Sequence, residues 1–214
     1  MEPPVVKKLL SGLLLASLVA CASTPPPAPT GLLVRDPAFT YCELEAFVAH
    51  DAARQTLLFG QGQEAMLANA KGDAALTKLI NEIFRQVKEE GLEDHAGFAA
   101  AQFYQCVDRE KLSMPRNPNG AAVCLARTDL VFFLNADRQR GKSPEEANQR
   151  LKDTLRSASQ AVYPHELIDQ LTPMAYRIQN EDDHYELRRF VFETCLLPKD
   201  WKDWWNSTHD DKIK

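Results

Sequence analysis

The chain of 214 residues holds no apolar run of the roughly 18 residues that cross a bilayer as a helix, which excludes an ordinary transmembrane span. It also lacks any alternating run of β-branched residues long enough to read as a strand, which argues against a sheet. No G-x-S-x-G, Walker loop or dinucleotide fingerprint is present, so the common signatures of serine hydrolysis, nucleotide hydrolysis and hydride transfer are missing. No two cysteines stand close enough for a C-x₂₋₄-C pair, so they do not read as zinc ligands. An excess of positive charge is missing as well. The net charge is −5, and it becomes −6 once Glu2, Lys7 and Lys8 of the N-terminal segment are set aside, which argues against nucleic acid as a partner. What remains is a composition of 44% hydrophobic and 26% charged residues, close to the globular average and sufficient for a packed core.

Lys7 and Lys8 precede an apolar stretch, Leu9 to Ala20, whose length suits a signal peptide better than a membrane span. The stretch ends in Leu18-Val19-Ala20-Cys21. This ending resembles the lipobox of bacterial lipoprotein signal peptides, with Val19 bulkier than the usual Ala or Ser at its place. The resemblance covers residues 1–21. It implies that 1–20 is a cleaved signal peptide and that Cys21 becomes a lipidated, palmitate-bearing N-terminus seated in the bilayer. Two or three acyl chains, at about 0.8 kcal/mol per buried CH₂, anchor a protein where one chain does not. Ala22 follows the cysteine where an Asp would favour retention in the inner membrane, so the resemblance implies an outer-membrane protein facing the periplasm. The competing reading is an ordinary secretory signal with a chance cysteine. "STPPPAPT", residues 23–30, cannot form helix or sheet and reads as a semi-rigid tether within 21–35.

Export places the body in an oxidising compartment, so Cys42, Cys106, Cys124 and Cys195 read as disulfides with three possible connectivities. The two halves of the body select among them. Cys42 opens "CELEAFVAHDAARQTLLFGQGQEA" and Cys124 opens "CLARTDLVFFLNADRQRGKSPEEA". Both are helical in pattern, carry an Arg-Gln pair and reach a glycine, Gly60 or Gly141, before a second helix. The halves close alike, with "FAAAQFYQC" ending at Cys106 and "LRRFVFETC" ending at Cys195. The fold class expected is therefore all-α: two tandem, weakly similar helical repeats, 36–112 and 121–197, clipped by Cys42–Cys106 and Cys124–Cys195. Each bridge then ties the first helix of a repeat to its last. Loops this long give roughly 4 kcal/mol per bridge in the chain-entropy model. If the halves share only the helical period, the connectivity stays open. The cysteine layout and "RQRGKSPEEA" resemble uncharacterised secreted helical proteins of proteobacteria, a likeness that brings no activity with it.

Local signals fill in the helices. Asp36-Pro37 reads as N-cap and first helical residue, and a short helix is expected from Gln63 to Ala70, ending at Gly72. Asp73 caps a helix whose Leu76, Leu79, Ile80, Ile83, Phe84 and Val87 share one face, and Gly91 stops it. "SMPRNPNG", 113–120, is the connector. Ser143-Pro144-Glu145-Glu146 is a capping box with Pro at N1. Tyr163-Pro164 breaks the chain, Pro173 is expected to kink or split the next helix, and Glu181-Asp182-Asp183 suit the start of the last one.

No catalytic, metal or cofactor residue stands out. His165-Glu166-Leu167-Ile168-Asp169 resembles half of a zinc-protease helix, but the second histidine is missing and His165 reads as a helix-start residue. His184 beside Asp182 and Asp183, and the acids Glu43, Glu45 and Asp51, read as solvated helix surface. The three tryptophans, Trp201, Trp204 and Trp205, form an i, i+3, i+4 stripe in the segment 198–214. That stripe folds back on the bundle or meets a partner protein of the envelope, while membrane insertion is opposed by Asp200, Asp203, Asp210 and Asp211. The function expected is a non-enzymatic binding or interaction module on the membrane, without cofactor. An envelope hydrolase or metal-dependent enzyme is the alternative; it requires His50, His95, His165 and His184 to converge with acids in a pocket. A structural envelope spacer is the third reading.

Overall fold

Asp36 opens the first helix as its cap, its Oδ1 accepting hydrogen bonds from the backbone N–H groups of Ala38 (2.9 Å) and Phe39 (3.0 Å). A computed structural model of the chain describes residues 36–59, 62–70, 72–90 and 94–197. Cys21, the tether and Trp201, Trp204 and Trp205 lie outside the described residues, as do Gly60 and Gly91. The described residues form eight helices and no strand: α1 (Pro37–Phe59), α2 (Gln63–Asn69), α3 (Ala74–Glu90), α4 (His95–Arg109), α5 (Pro118–Gln139), α6 (Pro144–Thr154), α7 (His165–Ala175) and α8 (Glu181–Leu196). None of these helices is long and apolar enough to cross a membrane.

Side-chain caps set most of the boundaries. Asp73 Oδ1 accepts from the Leu76 N–H at 2.9 Å, and Ser143 and Glu146 close the capping box in both directions at the start of α6. Asp94, Asn117 and Asn180 cap α4, α5 and α8 in the same way. Gly141 takes φ +77° just after α5, a left-handed conformation that glycine adopts without a Cβ clash. Pro173 does not split α7. It sits two residues before the helix ends at Ala175, so the one ladder bond it forfeits, to the Asp169 carbonyl, leaves almost no helix beyond it to be split off.

The two disulfides are Cys42–Cys106, with Cα atoms 5.3 Å apart, and Cys124–Cys195, with Cα atoms 5.5 Å apart. They join α1 to α4 and α5 to α8, so the four cysteine-bearing helices form the centre. Cys42, Ala46, Ala49 and Ala53 are fully buried on α1, and these small side chains let α4 approach closely. Phe39, Phe47, Phe103 and Phe192 then interlock edge to face, with ring centroids 5.2 Å apart for Phe103 and Phe192 and 5.7 Å for Phe47 and Phe192. Four of the six residues expected on one face of α3 (Ile80, Ile83, Phe84 and Val87) are buried against this cluster.

The apolar interior falls into two clusters. The first gathers α1, α3 and α4 with Cys124 and Leu125 of α5 and Phe192 of α8. The second joins Leu130, Val131 and Leu134 of α5 to Leu151, Ile168, Leu171, Leu187 and Val191. The division runs through the middle of α5, where Thr128 and Asp129 are buried between the two groups. Polar side chains from α1 and α4 meet Asp129 there.

Candidate functional site: a buried polar seam

Asp129 lies inside because Arg54 of α1 partners it: Arg54 Nη1 donates to Asp129 Oδ1 at 2.6 Å, and the two side chains are 6% and 7% exposed. The other end of the guanidinium, Nη2, donates to Asp51 Oδ1 at 3.2 Å. Asp51 also receives both Nη groups of Arg188 from α8, at 2.7 and 3.0 Å, in a fork that fits a carboxylate. The guanidinium groups lie over aromatic faces, Arg54 at 4.2 Å from the Phe132 centroid and Arg188 at 4.6 Å from that of Phe47. Two carboxylates and two guanidinium groups therefore balance one another across α1, α5 and α8.

Two histidines complete the seam. His50 of α1 is fully buried, and neither of its ring nitrogens has a hydrogen-bond partner. Its Nδ1 is 3.8 Å from Asp129 Oδ1 and 3.9 Å from Asp51 Oδ1. His95 is the first residue of α4, positioned by the Asp94 cap; its ring centroid is 4.8 Å from that of His50, and its Nε2 is 3.5 Å from Asp129 Oδ2. His184 of α8 lies nearby in sequence to Arg188 and meets the Asn135 amide through Nδ1 at 3.2 Å.

Burial pushes the His50 imidazole below its usual range, although Asp51 and Asp129 pull the other way, so the ring is neutral at pH 7. Burial, helped by the Arg188 charge, takes His184 down to about 4. For Asp51 and Asp129 burial works to raise the carboxyl, but it is outweighed. Arg188, His50 and Arg54 hold Asp51 well below the carboxylate range, and His95, His50 and Arg54 hold Asp129 down. Both aspartates are therefore charged.

A second buried group lies on the α1–α8 side. Arg189 Nε donates to Glu43 Oε2 at 2.9 Å, while its Nη2 donates to Glu193 Oε1 at 3.0 Å. Burial and the neighbouring Glu193 push the Glu43 carboxyl well above its usual range, against the pull of Arg189. Glu45 pairs with Arg109 Nη2 at 2.6 Å. Glu43, Glu45 and Asp51 are thus not the solvated helix surface expected of them, and His184 is not part of an exposed acidic patch. Their partners come from α4, α5 and α8, distant in sequence, and those pairings take polar side chains into the interior. His165 does start α7, away from the seam, with Nε2 3.1 Å from the Gln160 amide nitrogen.

The structure brings together His50 and His95 but leaves His165 apart, and it adds Asp129, Arg54 and Arg188, which the sequence did not single out. All four body cysteines are oxidised, so none offers a thiolate. A shallow groove lined by Pro37, Thr40, Tyr41, Leu44 and Tyr185, and an open depression of about 750 Å³ along α3 between Gly72 and Arg85, include none of the seam residues. No family model, no curated protein and no solved structure matches the chain.

Proposed function

We propose that the chain is a lipid-anchored protein of the bacterial cell envelope, a non-enzymatic binding or interaction module held at the periplasmic face of the outer membrane by Cys21. One observation carries this reading. The bridges Cys42–Cys106 and Cys124–Cys195 consume all four body cysteines, which leaves Cys21, at the lipobox, as the one cysteine of five outside the pairs. Bonds of this kind belong to an oxidising compartment, in agreement with export. The body is two related helical units in this account. In support, His95 and His184 each stand eleven residues before the closing cysteine, and Phe103 and Phe192 each stand three before it. The tether then spaces the body from the bilayer, and Trp201, Trp204 and Trp205 are the contact for an envelope partner.

The test is fractionation of a bacterial host expressing the full chain and its Cys21→Ser variant. The parent chain pellets with membranes and is released by detergent but not by salt or alkali, whereas Cys21→Ser is recovered in soluble form with both disulfides intact. Membrane retention of a folded Cys21→Ser would refute the anchor. A second reading, a metal-dependent envelope enzyme, is favoured by the convergence of His50 and His95 on Asp129 instead of a scattering of histidines over the surface.

A further inference from the structure

We infer that His50, His95 and Asp129 form a binding site for one first-row divalent transition-metal ion, of which Zn²⁺ is the representative. The inference holds whether or not Cys21 is acylated, and whether or not a bound ion meets a substrate.

The first ground is an unmet need in the interior. A fully buried histidine with neither ring nitrogen hydrogen-bonded is rare, because buried polar atoms are nearly always satisfied by protein, water or an ion. His95 Nε2 is likewise buried and without a hydrogen-bond partner. Two unsatisfied imidazole nitrogens therefore face one carboxylate. The second ground is geometric. One ligand atom from each of the three residues can be chosen so that all lie within 4.8 Å of one another. Ligand atoms around a tetrahedral zinc are about 3.3 Å apart, given Zn–N and Zn–O distances near 2.0–2.1 Å. The site must contract by roughly one to one and a half ångströms. His95 can supply that movement, since its side chain is 28% exposed and stands at the first residue of its helix.

The ligand set also matches the chemistry. Two imidazoles and one carboxylate suit Zn²⁺ and its neighbours and are a poor set for Ca²⁺ or Mg²⁺, which take oxygen. Arg54 already holds Asp129 Oδ1, so it acts as the outer partner that orients the carboxylate and leaves Oδ2, on the His95 side, for the ion. The three ligands come from α1, α4 and α5, so an ion here would pin the first apolar cluster to the start of the second. A fourth position falls to solvent entering past His95. The nearby Arg54 and Arg188 charges oppose a dication, which makes the affinity lower than that of a dedicated structural zinc site.

The experiment uses the full-length chain in detergent, stripped with chelator and titrated with Zn²⁺ by calorimetry and with Co²⁺ by visible absorption. One Zn²⁺ per chain is expected, with Co²⁺ giving the d–d bands of a low-coordinate site with nitrogen ligands. His95→Ala, whose side chain is partly exposed, is expected to weaken Zn²⁺ at least ~100-fold, the upper cost of losing even an outer partner. Its helical circular dichroism should stay at the parent level. Asp129→Asn keeps the shape of the side chain and is expected to lose binding as well, while His165→Ala binds as the parent does. Should His50 replacement unfold the chain, His95→Ala and Asp129→Asn still decide the matter. Absence of stoichiometric binding, or binding unchanged in a folded His95→Ala, would overturn the site and show that the two rings are a packing pair.

Discussion

Arg54 serves two buried aspartates at once, so its removal is expected to be costly. Taking away one partner of a buried ion pair leaves an uncompensated charge and typically destabilises by about 3–5 kcal/mol. Arg54→Met is expected to lower stability by about that amount, as read from urea unfolding, because Asp129 loses its 2.6 Å partner and Asp51 loses one of two. Replacing Asp129 by Leu in the same chain should recover part of the loss, since no lone charge is then left at that end. The seam also carries a pH signature. His184 titrates near 6.5 unfolded and at about 4 folded, so the unfolded chain binds more protons between those values and stability falls as pH drops through them. Asp51 and Asp129, held low, add a loss below the ordinary carboxylate range. Glu43 has the opposite sign, losing stability as pH rises through its raised value. A melting-temperature series from pH 7 to pH 4 should therefore slope downward on acidification, and His184→Gln should flatten that slope.

Helix boundaries and the disulfide pattern were legible in the sequence because their causes are local. Asp36, Asp73 and Ser143 each reach a backbone N–H within three residues, and Gly141 needs only its own φ. The bridges were legible through the likeness of two cysteine-bounded stretches, which selects Cys42–Cys106 over the other pairings. α1 shows where such reading stops. Its Glu43, Glu45, His50, Asp51 and Arg54 are all buried or held in ion pairs, so no polar stripe marks its outer face, and a rule that sends charge to solvent misplaces them. Apart from contacts within α1 such as Arg54 with Asp51, their partners are 64 to 146 residues away, and nothing local announces those. Pro173 is a milder case: its effect depends on distance from the helix end, which the sequence does not mark. At this scale each bridge holds two helices in antiparallel register over a large loop. Replacing Cys42 and Cys106 together by Ser is expected to cost about 2–5 kcal/mol in equilibrium unfolding. His95 lies at the end of α4 opposite Cys106 and His50 stands eight residues along α1 from Cys42, so the mutant should also lose protection of these rings from solvent, visible as faster exchange of their nitrogen-bound protons.

For the molecule as a whole, the described helices hold two apolar clusters joined across a polar seam, and in the proposed reading a tether spaces them from the bilayer. In the proposed reading, oxidation of all four body cysteines accords with export, and the lipobox likeness gives the fifth cysteine to lipid. The claim on which most depends is the chemistry of Cys21. Intact mass spectrometry of the full chain made in a bacterial host that processes lipoproteins tests it directly. A mature protein beginning at Cys21 is expected, heavier than the polypeptide by a diacylglyceryl group and an amide-linked acyl chain, with four fewer hydrogens for two disulfides. A chain cleaved elsewhere, or one carrying an unmodified Cys21 thiol, would contradict it.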